Sequence, residues 1–380
     1  MRTRESSENE KIHVAVLGVR GLPGVPGGVE SHCEQLYPLV AKRGLSVTVI
    51  SRKRFSPPEV GRWWSGVRIA PIWCPRRKGA EAFIHTLLGV FYAAWMRPDV
   101  LHIHSIGPGL LTPLAKVFGL RVVVTYHASD YRQEKWGLIG KWILKLGEKT
   151  MMEFADSVIS VSYHGAGELE KMYKRRPVVI ANGVPRIDEV ESTGVLGELG
   201  LLNGEYVLHV GRAIPDKRQL ELIDAFSRIE MPGWKLVLVG DFPSADAYSD
   251  RVRERALQVG NVVLAGKRTG LELWELFNRA GCFTMPSSYE GLPIALLEAI
   301  SAGLPTVASN IEANLEVGLP EWAYFDLDNI DAMARAMIRV IGSRGESVWR
   351  DLSERVRAEH DWEKVADAVV AEYRRVGCSS

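Results

Sequence analysis

Residues 11–51, KIHVAVLGVRGLPGVPGGVESHCEQLYPLVAKRGLSVTVIS, decide the fold. KIHVAVLG is an apolar run of strand length that closes on a glycine. VRGLPGVPGGVE then supplies a glycine-rich loop. In ESHCEQLYPLVAKRG, Cys33, Leu36, Tyr37 and Val40 recur at helical spacing and Gly44 is a stop. LSVTVIS is a second strand. Strand, glycine loop, helix, strand is a Rossmann-like opening. The dinucleotide fingerprint G-x-G-x-x-G is not met, because Gly18 and Gly21 enclose two residues, which argues against an NAD-dependent oxidoreductase. The loop retains Gly27 and Gly28, whose bare backbone suits the approach of a phosphate to N–H groups. A plain turn into a helix is the other reading of the same residues.

The alternation continues through strand candidates at 67–71, 100–104, 122–127 and 157–161, with helices between them. A mostly parallel, doubly wound sheet follows, and such sheets bind ligands beyond the carboxyl ends of their strands. Two candidates end in histidine, His104 in DVLHIHS and His127 in VVVTYHASD. His127, with Asp130 close behind, is the better candidate to face a ligand. After Pro177 the pattern restarts. PVVIANGV ends in a turn at Asn182 and Gly183, residues 185–203 form a loosely patterned connection, and EYVLHVG, KLVLVGD, NVVLAG and CFTMP are strands separated by helices. The expected architecture is α/β, with two Rossmann-like parallel-sheet domains, 11–180 and 181–361, facing across a cleft.

Composition agrees with two domains. A chain of 380 residues, 46% hydrophobic and 24% charged, is long enough for two cores. Its formal charge of +1 argues against a dedicated nucleic-acid binder. Cys33, Cys74, Cys282 and Cys378 have neither metal-ligand nor disulfide spacing, which points to a reducing cytoplasm. The opening MRTRESSENEK has no signal-peptide core and reads as a disordered lead-in. Residues 82–96, AFIHTLLGVFYAAWM, are too short to span a bilayer and read as a buried or interfacial helix. In residues 137–154, Lys141, Lys145 and Lys149 form one helical stripe, with Ile139, Trp142, Ile143 and Leu146 on the other side. An ordinary helix with a solvated lysine face accounts for this pattern, and a basic amphipathic helix lying on anionic lipid is the alternative.

Two clusters in the second half carry chemistry. Arg212 and Lys217 lie five apart in the loop after a strand, with Lys217 at the start of the next helix; two cations beside a helix N-terminus suit a diphosphate. The other cluster is MPSSYEGLPIALLEAISAGLP, residues 285–305. Pro293 suits a first helical turn and Gly303 with Pro305 a stop, so a helix is expected from near Gly291 to near Ala302. Leu292, Ala295, Leu296 and Ala299 would be its packed stripe, and Glu298, seven residues after Gly291, would return to the face of that glycine. From Glu290 to Glu298 a helical rise is on the order of 12 Å, comparable with the span from sugar to ribose in a nucleotide sugar. Two solvated carboxylates would share this spacing.

Taken together, NGV at Asn182, HVGRAIPDK and SYEGLPIALLEAISAGLPTVAS resemble the retaining glycosyltransferases of family 4, of GT-B architecture. GVPGGVESHCEQLYPLVAKRG and VVVTYHASDYRQEKWG look like the bacterial members that assemble exopolysaccharide, capsule or O-antigen. The resemblance covers nearly the whole chain and rests most on Arg212, Lys217, Glu290 and Glu298 in order and spacing. It implies that Gly27 and Gly28 approach the donor diphosphate and that Arg212 and Lys217 neutralise it. Glu290 would hold hydroxyls of the donor sugar, the amides of Gly291 and Leu292 would reach sugar or phosphate, and Glu298 would hold the ribose. His127 would lie near the transferred sugar. The block HDWEKVADAVVAEYRRV resembles the family's last helix, so 362–380 would cross back onto the first, acceptor-side domain, with Trp362 marking the return.

The implied activity is a retaining, metal-independent hexosyl transfer without cofactor. The donor would be a nucleotide-diphosphate sugar, UDP favoured over GDP, with Gly266 to Arg268 a candidate to face the base. The acceptor would be a growing glycan or a polyprenyl-linked saccharide at the cytoplasmic membrane face, which the Arg76, Arg77, Lys78 cluster also suits. Asp326 and Asp328 have the spacing of a metal-binding pair but lie in YFDLDNID, which reads as the start of a helix. The alternatives are a nucleotide-sugar epimerase of the same fold and a non-catalytic nucleotide-sugar-binding protein.

Overall fold

A computed structural model describes residues 11–377, apart from 57–58, 60, 77–79, 134–135, 187–189 and 245. The lead-in through residue 10, Arg77, Lys78 and Cys378 lie outside the described residues. Unit 1 takes 1–131, 136–181 and 362–380; unit 2 takes 132–135 and 182–361.

In chain order, unit 1 contains β1 (His13–Leu17), α1 (Gly28–Lys42), β2 (Ser46–Arg52), β3 (Trp63–Trp64), β4 (Val67–Ile72), α2 (Ala80–Met96) and β5 (Val100–His104). It continues with α3 (Ile106–Gly109), α4 (Thr112–Val117), β6 (Val122–Tyr126), α5 (Leu138–Phe154), β7 (Ser157–Ser160), α6 (Tyr163–Tyr173) and β8 (Val178–Val179). Unit 2 contains α7 (Val195–Glu198), β9 (Tyr206–Val210), α8 (Gln219–Phe226), β10 (Lys235–Val239), α9 (Ala247–Val259), β11 (Val262–Gly266) and α10 (Gly270–Arg279). After these come β12 (Cys282–Met285), α11 (Ile294–Ser301), β13 (Thr306–Ser309), α12 (Glu312–Leu315), β14 (Tyr324–Phe325), α13 (Ile330–Gly342) and α14 (Ser347–Glu359). The last helix, α15 (Trp362–Gly377), belongs to unit 1.

The sheet of unit 1 has the order β3-β4-β2-β1-β5-β6-β7-β8, parallel except for β3 against β4. That of unit 2 is β11-β10-β9-β12-β13-β14, wholly parallel. The winding reverses on either side of β1 and of β9. The loops after β1 and β5, and those after β9 and β12, therefore open at topological switch points, where such sheets bind ligands. Parallel strands with helices on both faces are buried on both faces, which explains their unbroken apolar runs. In unit 1, Val14, Val16, Val47 and Val49 pack with α1 and α15, while Ala15, Leu17, Leu101 and Ile103 pack with α2, α4 and α5.

Four expectations need correction. Helix α11 begins at Ile294, not near Gly291, because Pro293 is extended (φ −76°, ψ 105°) and caps the helix from outside. A residue before proline is itself pushed out of helical geometry, so Gly291 and Leu292 form a bend and share no helical face with Glu298. The packed side of α11 is Leu296, Leu297, Ala299 and Ile300, with Ala295 only partly covered. Lys217 ends a 3-10 turn, Pro215–Lys217, and α8 starts two residues later after Arg218, which is left-handed at φ 53°. YFDLDNID does lead into a helix as expected, Asn329 capping α13 through the Ala332 amide, and the edge strand β14 precedes it. The fourth correction concerns α5. Its packed face is Leu144, Gly147, Glu148, Met151 and Met152, and Ile139, Trp142 and Ile143 are exposed together with Lys145 and Lys149.

Candidate active site

In unit 2 the loop after β9 carries Arg212 and Lys217, and the loop after the neighbouring β12 carries Glu290. Lys217 Nζ forms an ion pair with Glu290 Oε1, both side chains being largely buried. The loops are also joined through backbone, since the Ser288 amide donates to the Asp216 carbonyl at 2.9 Å. Arg212 is exposed, and among the described residues no carboxylate is recorded against its guanidinium. Its carbonyl accepts from Gln219 Nε2 at 2.9 Å, which ties the loop to α8. Beneath the ion pair lies His209, fully buried on β9. Its Nδ1 donates to the Thr284 carbonyl at 3.0 Å, so Nε2 is the unprotonated nitrogen. Burial pulls this imidazole down to about 4 and keeps it neutral.

Asn182, in the NGV turn, is buried and donates from Nδ2 to the Leu292 carbonyl at 3.0 Å. Its own carbonyl accepts from His360 Nδ1 at 2.8 Å. Asn182 thus fixes the bend that presents Gly291 and Leu292. Glu298, one turn into α11, keeps part of its surface accessible, yet desolvation alone lifts its carboxyl to about 8. A carboxyl in that setting is largely protonated at neutral pH. Asp326 and Asp328 each have a protein partner: Asn310 Nδ2 donates to Asp326 at 2.7 Å and Arg218 pairs with Asp328 at 2.5 Å.

Unit 1 holds the glycine loop and His127. A Cβ at Gly18 (φ +101°) would come within 2.3 Å of the His104 carbonyl oxygen, so only glycine lets the end of β1 lie against the end of β5. Gly27 (φ +148°) caps α1, and a Cβ there would run into Glu30 Oε2 and Arg20 Nη2. Arg20 and the buried Glu30 brace the loop, with Arg20 Nε donating to Glu30 Oε1 at 2.9 Å and Arg20 Nη2 donating to the Pro26 carbonyl. Gly28 is the first residue of α1, with open space where a Cβ would stand.

His127 follows β6, and its Nε2 is hydrogen-bonded to His104 Nδ1 at 3.0 Å. From His104 a chain runs inward through Tyr37 Oη and His102 to Thr125 and to Tyr373 on α15. His32 stands edge-on to His127, with ring centroids 5.1 Å apart, and edge-on to Trp362 at 5.4 Å. Burial lowers His102 to about 3 and holds His104 and His127 well below the usual imidazole range, with the neighbouring imidazoles adding to it. His102, His104 and His127 are therefore neutral at pH 7.

The structure joins Lys217 to Glu290 and seats Arg212, Gly291, Leu292 and Glu298 on adjoining segments of unit 2; Gly27, Gly28 and His127 belong to unit 1. Sequence reasoning missed His32, His102, Tyr37, Tyr373, His209 and Asn182 as parts of these settings. For His102 the signal was present. Two histidines two apart on a strand share one face, so HIH in DVLHIHS already placed His102 beside His104.

Two family models match the chain: "Glycosyltransferase Family 4" over residues 26–186 and "Glycosyl transferases group 1" over residues 197–358. Alpha-maltose-1-phosphate synthase of Mycolicibacterium smegmatis is 27% identical over 324 residues, covering 73% of this chain and 79% of that protein. A UDP-Gal:alpha-D-GlcNAc-diphosphoundecaprenol alpha-1,3-galactosyltransferase of Escherichia coli is 28% identical over 263 residues, covering 64% of this chain and 66% of the relative. Among solved structures, sucrose-phosphate synthase from Thermosynechococcus elongatus superposes with a TM-score of 0.84 at 22% identity, over 97% of this chain and 100% of that one.

Proposed function

This chain belongs to glycosyltransferase family 4, with the GT-B fold, and on that premise we propose a retaining transfer of a hexose-type sugar from a nucleotide-diphosphate sugar to a lipid-linked or growing glycan. Glycosyl transfer in glycan or polysaccharide synthesis is the activity its relatives share. The observation that carries the finer reading is the cationic loop at the unit 2 switch point, where Lys217 is held by Glu290 and Arg212 stands open. As the bond from the anomeric carbon to the diphosphate lengthens, the sugar becomes oxocarbenium-like and negative charge gathers on the leaving group. Stabilising that charge is a large catalytic term. Arg212 and Lys217 take it directly, so the reading assigns no metal and no cofactor. Glu290 then turns to sugar hydroxyls, Gly291 and Leu292 offer amides, and Glu298 holds the ribose. Gly27, Gly28 and His127 are assigned to diphosphate and sugar from unit 1. The leaving phosphate oxygen accepts the acceptor hydroxyl's proton, and the new glycosidic bond forms on the face the diphosphate leaves.

A UDP-sugar is the preferred donor, in keeping with the UDP-Gal-dependent relative. The same relative's diphosphoundecaprenol acceptor supports a lipid-linked acceptor, with the enzyme peripheral on the cytoplasmic membrane face. Among the described residues no helix is long and apolar enough to cross a membrane. A thermal-shift panel of UDP- and GDP-sugars, followed by NMR of the product formed with the best binder, tests the reading. Stabilisation by a UDP-sugar and an α-linked product from an α-donor are expected. Stabilisation by GDP-sugars alone would replace the donor, an inverted product would remove the retaining mechanism, and isomerised donor without acceptor would favour the epimerase.

A further inference from the structure

The helices α2, α4 and α5 cover one face of the unit 1 sheet, and their inward residues close the core with Val90, Ala93, Ala115, Leu144 and Met151. Their outward faces are apolar as well. On α5, Leu138 is 88% exposed and Trp142 65%, and Ile139 and Ile143 are exposed beside them, on the side of the helix away from Leu144, Gly147 and Met151. On α2, Leu88, Phe91 and the 77%-exposed Trp95 recur at helical spacing, and Glu81, at its buried first turn, is the helix's one charged residue. Val117 and Phe118 continue the surface at the end of α4, where the Phe118 ring lies 5.4 Å from that of Phe91. Helix α4 packs against both α2 and α5, so these side chains sit on adjoining helices of one layer.

An outward helix face on a protein that meets only water carries polar residues, and contiguous exposed apolar surface marks a partner. Unit 2 follows the ordinary pattern. Its exposed large hydrophobics among the described residues, Leu202, Leu257, Leu271, Leu315 and Ile338, are scattered over different segments. The charge beside the apolar stripe of α5 identifies the partner. Lys141, Lys145 and Lys149 run along its flank, four residues apart, with Lys145 Nζ 5.3 Å from the Tyr131 ring centroid and Lys149 Nζ 3.6 Å from Glu153. Tryptophan and long aliphatic side chains bordered by lysine are the composition of a helix that lies in a bilayer interface, the rings at headgroup depth and the ammonium groups on lipid phosphate. Two copies of this chain meeting through the same faces would bring lysine flank toward lysine flank.

We propose that the outer face of α2, α4 and α5 seats unit 1 in the interface of an anionic phospholipid bilayer. Helix α5 starts after the loop that follows β6 and His127, so its most exposed turn is on the strand-end side of the sheet that carries His127. A saccharide carried on a lipid would then reach that side without leaving the membrane. The seating stands on the surface alone; only the acceptor's identity rests on the function proposed above.

The test is co-sedimentation of the full chain with phosphatidylcholine vesicles, with and without phosphatidylglycerol, at low and raised salt. Wild type should bind the anionic vesicles and be weakened by salt. Ile139→Ser with Trp142→Ser should lower the partition by about tenfold or more, because two interfacial anchors are lost. Lys141→Gln with Lys145→Gln and Lys149→Gln should remove the preference for phosphatidylglycerol. All five positions lie outside the proposed donor site, so the donor-induced thermal shift should match wild type. Wild type remaining in the supernatant with anionic vesicles at low salt would overturn the proposal, as would the Ile139, Trp142 variant binding like wild type. Sedimentation velocity showing a dimer that the same substitutions dissolve would assign the surface to a second copy instead. A wild-type chain that binds vesicles but no nucleotide sugar would end the proposed function and leave this surface standing.

Discussion

The two units repeat one architecture but hold their candidate groups by opposite means. Unit 2 works with charge: Lys217 is locked to Glu290, Arg212 stands open, and Glu298 is a carboxyl with desolvation as the one cause acting on it. Unit 1 works with neutral groups: His127 is anchored through His104, Tyr37 and His102 to Tyr373 on the last helix, and burial keeps the three imidazoles uncharged. A leaving diphosphate needs cations, and a sugar that carries no charge needs positioned hydrogen bonds. The difference in construction therefore follows the division of labour proposed for the two sites.

The largest break in this comparison should come from Lys217→Met. It removes a cation proposed to meet the developing phosphate charge and leaves Glu290 as a largely buried carboxylate without its partner. Turnover should fall by about 10²–10³-fold, the scale for losing one preorganised stabiliser of transition-state charge. Steady-state kinetics with the best donor reads it. Activity within a few fold of wild type would mean that charge is not what unit 2 contributes.

Next in size is Tyr37→Phe in unit 1. The ring packing is kept and one hydroxyl is lost from between His102 and His104, leaving fully buried polar atoms without that partner. A cost of about 1–3 kcal/mol in unfolding free energy is expected, measured by urea titration. Any loss of turnover should be smaller than that of Lys217→Met, because His127 keeps its direct bond to His104. An unchanged stability would mean the chain is incidental to the fold of unit 1.

These two sites were unequally legible before the structure. Arg212, Lys217, Glu290 and Glu298 are charged residues near glycine and proline, and such residues announce themselves because burying them without a reason is costly. Strand and helix alternation was equally plain, since parallel strands need long apolar runs. Strand order was not, because it depends on which strands pair, and so the coincidence of the β9 and β12 loops at one switch point had to be observed. The tyrosine links of the histidine chain were hidden for the same reason: Tyr37 and Tyr373 are far in sequence from the His102, His104 pair and each alone reads as core. Hydrophobicity points to the wrong face of α5 because its inner side carries Gly147 and Glu148, the latter accepting from Ser129, Tyr131 and Tyr173, while the more apolar side is exposed. Local propensity misled at Gly291 too, where the residue before Pro293 stopped the helix from starting early.

The smallest and most discriminating effect is on the pH dependence of stability, where Glu298 and the buried histidines should slope in opposite directions. His102, His104 and His127 in unit 1 and His209 in unit 2 are depressed when folded, so on acidification the unfolded chain takes up protons first, and stability is lost as pH falls from about 6.5 toward 3. Glu298 is raised when folded, from 4.5 to about 8. Between those values the folded chain holds the extra proton, so its contribution is complete below about 4.5 and is lost as pH rises through about 8. Glu298→Gln keeps the shape and hydrogen-bonding atoms of the protonated carboxyl and cannot ionise. The melting temperature of unit 2 should therefore decline less between pH 5 and 8 in the variant than in wild type, with each 1 kcal/mol difference appearing as ~2–4 °C for a unit of this size. Because the carboxyl keeps some accessible surface, a difference of a few degrees is the expected scale, and identical slopes would show that water already serves Glu298 as a charged group. Below about pH 4.5 the acid limb should be the same in both proteins, since Glu298 is protonated in folded and unfolded chain alike and the histidines remain, and a change there would couple the groups that the comparison keeps apart.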